Sequence, residues 1–135
     1  MAPSRISIPA ADIRPEKVLE MRALARWCAD RGIEAWYFHG PLVASTVEAS
    51  GEYFDEANRL LSDAGFRVVA PRPLALHPEA IGDGEDHVRP ELRAASTRWH
   101  AERLRAAWRG ETPSAGAASG SLGDPAAPYR RDGSD

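Results

Sequence analysis

Three carboxylates, Asp83, Glu85 and Asp86, stand within four residues of one histidine, His87, in the run Gly82-Asp83-Gly84-Glu85-Asp86-His87-Val88. Carboxylates beside an imidazole stabilise its protonated form and select the tautomer and ring orientation. Three acids in sequence would therefore lift His87 above the ordinary value of about 6.5. A histidine held in this way serves as a general base when a hydroxyl lies within reach. Asp83 or Glu85 is the natural orienting acid, in the sense in which the acid of a Ser-His-Asp arrangement orients its base. The same acids also suit plain structural work, because Asp83 or Asp86 could cap the helix that begins near Pro90.

A second cluster follows the most hydrophobic short segment. His39-Gly40-Pro41 terminates Ile33-Glu34-Ala35-Trp36-Tyr37-Phe38, and Ser45, Thr46 and Ser50 lie just beyond it. In α/β sheets, sites collect at the carboxyl ends of strands, so His39 and Ser45 are candidate substrate-binding residues. The bland alternative is a strand stop followed by a helix start. No metal is expected: His39, His77, His87 and His100 lack paired ligand spacing, and Cys28 is the only cysteine. No cofactor motif is present either.

The elements that must position these residues follow from period and punctuation. Residues 1–14 read as an extended lead-in, with Asp12 available as a cap and Pro15 as a first helical residue. Val18, Met21, Leu24, Ala25 and Cys28 share a face at helical spacing up to Asp30-Arg31-Gly32. Trp27 lies off that face. Residues 34–38 read as a buried strand. Ser50 is placed to cap a helix carrying Tyr53, Phe54, Ala57, Leu60, Leu61 and Ala64, with Gly65 as its stop. Residues 66–70 form the next strand, closed by Pro71 and Pro73. The acidic loop comes next, then a helix over 90–108. Helix, strand, helix, strand, loop, helix is the rhythm of a parallel sheet with crossover helices. Two or three strands make an incomplete sheet. The final helix is apolar on two sides, with Leu92, Ala95, Trp99 and Ala106 on one and Ala101, Leu104 and Trp108 on the other, which calls for neighbours on both.

The order of these features resembles the C-terminal half of the SGNH (GDSL-like) hydrolase and acyltransferase superfamily. The matching pieces are Glu34-Ala35-Trp36-Tyr37-Phe38-His39-Gly40-Pro41, the helix from Tyr53 to Leu61, Arg67-Val68-Val69, and the acidic loop with Ser96-Thr97 beyond it. The resemblance spans roughly residues 15–108. It implies a small three-layer, flavodoxin-like or SGNH-like parallel sheet, and a His87-centred hydrolase or acyltransferase site oriented by Asp83 or Glu85. Two departures bear on activity. The family places its acid three residues before the histidine, where this chain has Gly84. The family's Gly-Asp-Ser nucleophile block and its oxyanion-hole blocks have no counterpart here. The resemblance therefore implies a half-domain that needs a partner for acyl transfer, or a non-catalytic interaction module.

Composition sets the remaining bounds. The chain has 135 residues, a net charge of −3 and a single lysine, Lys17. A nucleic-acid partner is not expected from that balance. No apolar run approaches the roughly 20 residues of a membrane span. The lone cysteine suits a reducing compartment, so a cytoplasmic protein is expected. Arginine heavily outnumbers lysine, and alanine is abundant, a usage typical of GC-rich bacterial genomes. An α/β domain over 15–109 is followed, over 110–135, by a Gly-, Ala-, Ser- and Pro-rich tail that offers almost nothing to bury and is expected to be disordered. Within it, Gly120-Ser121-Leu122-Gly123 is a candidate docking peptide. The expected partner is another protein or a second copy.

Overall fold

The computed structural model of the protein describes residues 6–84, 87–111 and 122–123. Pro15 opens α1 (Pro15–Ala29), where its missing N–H falls among donors that have no helical partner anyway. Asp12 does not cap this helix. It belongs to a short 3₁₀ turn, Ala10–Asp12, and Arg14 stands at the helix entry without a side-chain cap. Ala25 and Cys28 are buried as the apolar stripe requires, but Leu24 is 48% exposed and lies outside it.

β1 (Trp36–Tyr37) and β3 (Arg67–Val68) are adjacent and parallel, with Trp36 opposite Arg67 and Tyr37 opposite Val68. Both strands are shorter than the segments read from sequence. Gly40-Pro41 and Pro71-Arg72-Pro73 bracket them, and proline has no N–H to continue a ladder. A second parallel pair, β2 (Leu42–Val43) with β4 (Ala75–Leu76), lies beyond those breaks and had no sequence signal of its own. The protein is thus a small α/β fold whose strands form two short parallel pairs.

Along the chain, between β2 and β3, come α2 (Ala44–Ala49) and α3 (Gly51–Ala64). Ser50 stands between them, but its side chain does not cap α3; its Oγ accepts from the Ile8 N–H at 2.9 Å and ties down the lead-in. Gly65 ends α3 as expected. At φ +108° it lets its own N–H reach the Ser62 carbonyl and the Phe66 N–H reach the Leu61 carbonyl, a paired closure of the last turn. Strand alternation then divides the core. Tyr37 and Val68 pack with Ala25, Leu61 and Phe66 under α1 and α3. Trp36 and Phe38 turn the other way, toward α4 (Arg93–Trp108), where their rings meet Trp108 at 5.8 Å and His100 at 5.5 Å.

A second core lies under α4, built from Ala70, Leu74, Leu76, Ala80, Trp99 and Leu122. Leu122 is an exception to the expectation that almost nothing beyond Gly110 could be buried: it is 3% exposed. One leucine flanked by small residues can enter a recess that a bulkier sequence could not. The remainder of the expected tail, 112–121 and 124–135, lies outside the described residues. Among the described residues no helix is long and apolar enough to cross a membrane.

Candidate functional site

The acidic loop is the turn of a small hairpin. Ile81 and Val88 form an antiparallel bridge, the Gly82 N–H donates to the His87 carbonyl at 2.6 Å, and the His87 N–H donates to the Gly84 carbonyl at 2.9 Å. A side chain at Gly82 would press its Cβ to 3.2 Å from the His87 carbonyl oxygen, so glycine keeps the closure tight. Arg89 locks the base of the hairpin, with its N–H on the Ala80 carbonyl at 2.9 Å and its Nε on the Ile81 carbonyl at 3.0 Å. These contacts hold residues 83 and 87 on the same side of the turn.

Asp83 and His87 meet there: the ring Nδ1 lies 2.7 Å from Asp83 Oδ1. The hydrogen bond from His87 holds the Asp83 carboxyl below its usual range, helped by a backbone hydrogen bond and by the charge of the ring. An ionised carboxylate can only accept, so Nδ1 carries the proton, and in the neutral ring Nε2 is the basic nitrogen. That is the tautomer a general base requires. The Asp83 carboxylate faces the His87 ring, and the residues at the entries of the 3₁₀ turn Pro90–Leu92 and of α4, Arg89 and Leu92, make no side-chain cap bond. Glu85, the other candidate orienting acid, lies outside the described residues, as does Asp86.

The pair borders an open depression of about 540 Å³ lined by Asp83, His87, Val88, Arg93, Ser96 and Thr97. Two hydroxyls from the start of α4 thus share the surface with the histidine. Their signal in the sequence was weak: Ser96-Thr97 entered only as the piece beyond the acidic loop in the resemblance, with no role attached to either. The surroundings are wet. The side chains of His87 and Asp83 are 62% and 91% exposed, so water screens their attraction and competes for every hydrogen bond.

His39 does not share this depression. It is buried at the end of β1 between the rings of Tyr37 (5.2 Å) and Phe54 (5.1 Å), both edge-on. Asn58 Nδ2 donates to the Pro71 carbonyl at 2.9 Å, which turns the amide oxygen toward the ring, 2.6 Å from Nε2. The oxygen accepts, so Nε2 carries the proton. Burial pushes the His39 pKa down, the Asn58 bond opposes that shift, and the nearby Arg72 guanidinium adds to it. Its role is to join β1, α3 and the segment after β3. Ser45 is half-buried near the start of α2 and does not border the depression either.

The other singled-out residues fall largely as their periods suggest. Cys28 is a buried free thiol. Trp27 is half exposed, with the Arg31 guanidinium 4.1 Å over its ring. His100 is half-buried and its Nδ1 donates to the Ser96 carbonyl at 2.8 Å. Among the described residues no three histidine, cysteine or carboxylate side chains gather as a metal site would need. A cavity of about 330 Å³ lies between α1 and α3, with largely apolar walls and both Tyr37 and Tyr53 on its lining, and it contains no histidine. No protein-family model, curated protein or solved structure matches this chain.

Proposed function

We propose that the protein is a non-catalytic, SGNH-like α/β interaction module that works by associating with a second copy through the outer side of α4. The observation that carries this reading is the unequal burial of that helix. Ser96, Trp99 and Ala107 are buried, while Leu104 is 40% and Trp108 82% exposed. Trp108 leans on Trp36, whose ring also has the Arg67 guanidinium 5.0 Å from its centre. An exposed tryptophan and leucine one helical turn apart, beside a second tryptophan, form an apolar strip of the kind that anchors interfaces. A twofold pairing lets each copy's strip cover the other's. Sedimentation over a range of concentrations tests it. The wild type should form a dimer that Trp108→Glu abolishes while leaving the circular dichroism unchanged. A wild type that stays monomeric up to roughly millimolar concentration, where only a weak pairing would remain, would overturn it.

One observation favours a second reading, a hydrolase or acyltransferase with His87 as general base and Asp83 orienting it. The 2.7 Å pair and the hydroxyls of Ser96 and Thr97 border one depression. Hydrolysis of an activated ester, compared among wild type, His87→Ala and Ser96→Ala, decides it. Rates that fall to the buffer background in both variants support the enzyme. Equal rates in all three leave the interaction module standing.

A further inference from the structure

Leu122 and Gly123 are the two described residues beyond Glu111, and they are seated with the geometry of an added strand. The Leu122 N–H donates to the Ala75 carbonyl at 2.8 Å, and the His77 N–H donates to the Leu122 carbonyl at 2.9 Å. This makes a parallel bridge to Leu76 on the edge of β4 that β2 leaves open. The Leu122 side chain fills a recess among Ala70, Leu74, Leu76, Ala80 and Trp99. Ala80 and Leu76 are both fully buried there.

The position after the leucine is equally selective. Gly123 has φ +85°, a conformation other L-residues rarely adopt, and a Cβ built on it would lie 2.7 Å from Ala80 Cβ and 3.1 Å from Leu92 Cδ1. Ala80 is enclosed and cannot give way. The edge therefore reads a short code: backbone amides from any residue, a leucine in the recess, then glycine and nothing larger. Edge strands take up extended segments in this way, with main-chain bonds supplying affinity and one pocket supplying specificity.

We propose that the outer edge of β4, with the recess between Ala80, Leu92 and Trp99, is a strand-addition site for a leucine–glycine segment, and that a second copy's Leu122–Gly123 exchanges into it for the chain's own. The contacts described for the segment are made by residues 122 and 123 themselves, so a second copy's Leu122–Gly123 brings the same groups to the site. Residues 112–121 (Thr-Pro-Ser-Ala-Gly-Ala-Ala-Ser-Gly-Ser) connect the segment to the domain. A linker of that length and composition presents its end at an effective concentration of the order of millimolar. The described part of the contact is two backbone bonds and one side chain, and in the proposed exchange a second copy competes when its local concentration approaches the same range. This exchange does not involve Trp108 and stands or falls separately from the pairing of α4.

The probe is a labelled synthetic peptide with the sequence of residues 118–127, and the receptor is the full chain carrying Leu122→Asp, which empties the recess in cis. Saturable binding to this variant is expected, with binding to wild type at least about tenfold weaker because the tethered segment competes. A peptide carrying the equivalent of Gly123→Val should not bind. A Leu122→Asp chain that keeps its circular dichroism and takes up no peptide at millimolar concentration overturns the site. Should that variant fail to fold, the wild type decides alone. In an equal mixture of isotope-labelled and unlabelled chains near 1 mM, nuclear Overhauser contacts between the Leu122 methyls of one copy and the Trp99 ring of another establish the exchange. Contacts confined to single chains overturn it.

Discussion

His39 and His87 each hydrogen-bond a side chain, Asn58 at 2.6 Å and Asp83 at 2.7 Å, yet the two regions put the same residue type to different uses. Around His39 the rings of Tyr37 and Phe54 exclude water, so the neutral imidazole is favoured and its bond to Asn58 acts as a structural tie. Around His87 water is abundant and the charged partner Asp83 sits almost wholly in solvent. Burial decides what a histidine contact is worth: in a dry site a lost partner leaves a polar group stranded, while at the surface water replaces it.

The largest expected effect comes from breaking the dry side. Asn58→Ala removes the acceptor for His39 Nε2 and the donor to the Pro71 carbonyl at once. Each stranded group costs roughly 1–3 kcal/mol, so urea unfolding should show a loss of about 2–4 kcal/mol. A loss below about 0.5 kcal/mol would mean that water reaches both groups and that the contrast between the regions is false.

A smaller effect should appear with pH. The folded-state pKa of His39 lies below its unfolded value near 6.5, so the unfolded chain binds the proton more readily. Stability is then complete above about pH 6.5 and declines as pH falls from there toward the folded pKa. Melting temperature followed from pH 8 to pH 5 should fall in wild type and fall less steeply in His39→Gln. Parallel curves for the two proteins would exclude His39 as the source.

The smallest effect belongs to the wet side. Asp83 is held below its ordinary pKa, so its contribution is present above about pH 4 and is lost as pH falls through the folded value. Because the pair is solvated, Asp83→Asn should leave the melting temperature at pH 7 unchanged within error, in low and in high salt. A clear drop that salt reverses would show that the hairpin depends on the ion pair and would bring the two regions closer in kind.

How much of this was legible differs from element to element. The tie between Asn58 and His39 joins residues 19 positions apart, and neither has a neighbour in sequence that hints at the other. The link between Asp83 and His87 was legible because both lie in one short loop that carries Gly82 and Gly84. The capping role read for Ser50 failed, and Asp83, one of the two acids read as a cap for the last helix, is engaged elsewhere, both for one reason. A capping side chain can serve any N–H within reach, and the tertiary structure offered Ser50 the Ile8 amide and Asp83 the His87 ring. β2 and β4 escaped notice because two-residue strands have no period to detect. Leu122 was legible only as part of the candidate docking peptide Gly120-Ser121-Leu122-Gly123; its burial was not, because composition describes a segment on average, whereas a recess selects one residue.

By itself, the sequence determined the helices that carry strong periods and hard stops, with Pro15 opening α1 and Gly65 closing α3, together with the parallel pairing of the segments around Tyr37 and Val68. It also determined that a histidine and a carboxylate would meet in the hairpin loop. Those are local matters, set by φ and ψ preferences and by a few bonds of sequence separation. Only the tertiary structure decided which histidine is dry, which strip of α4 stays uncovered and where Leu122 goes. Solvent exclusion is a property of everything packed around a residue, and that neighbourhood is assembled from parts of the chain that do not adjoin in sequence.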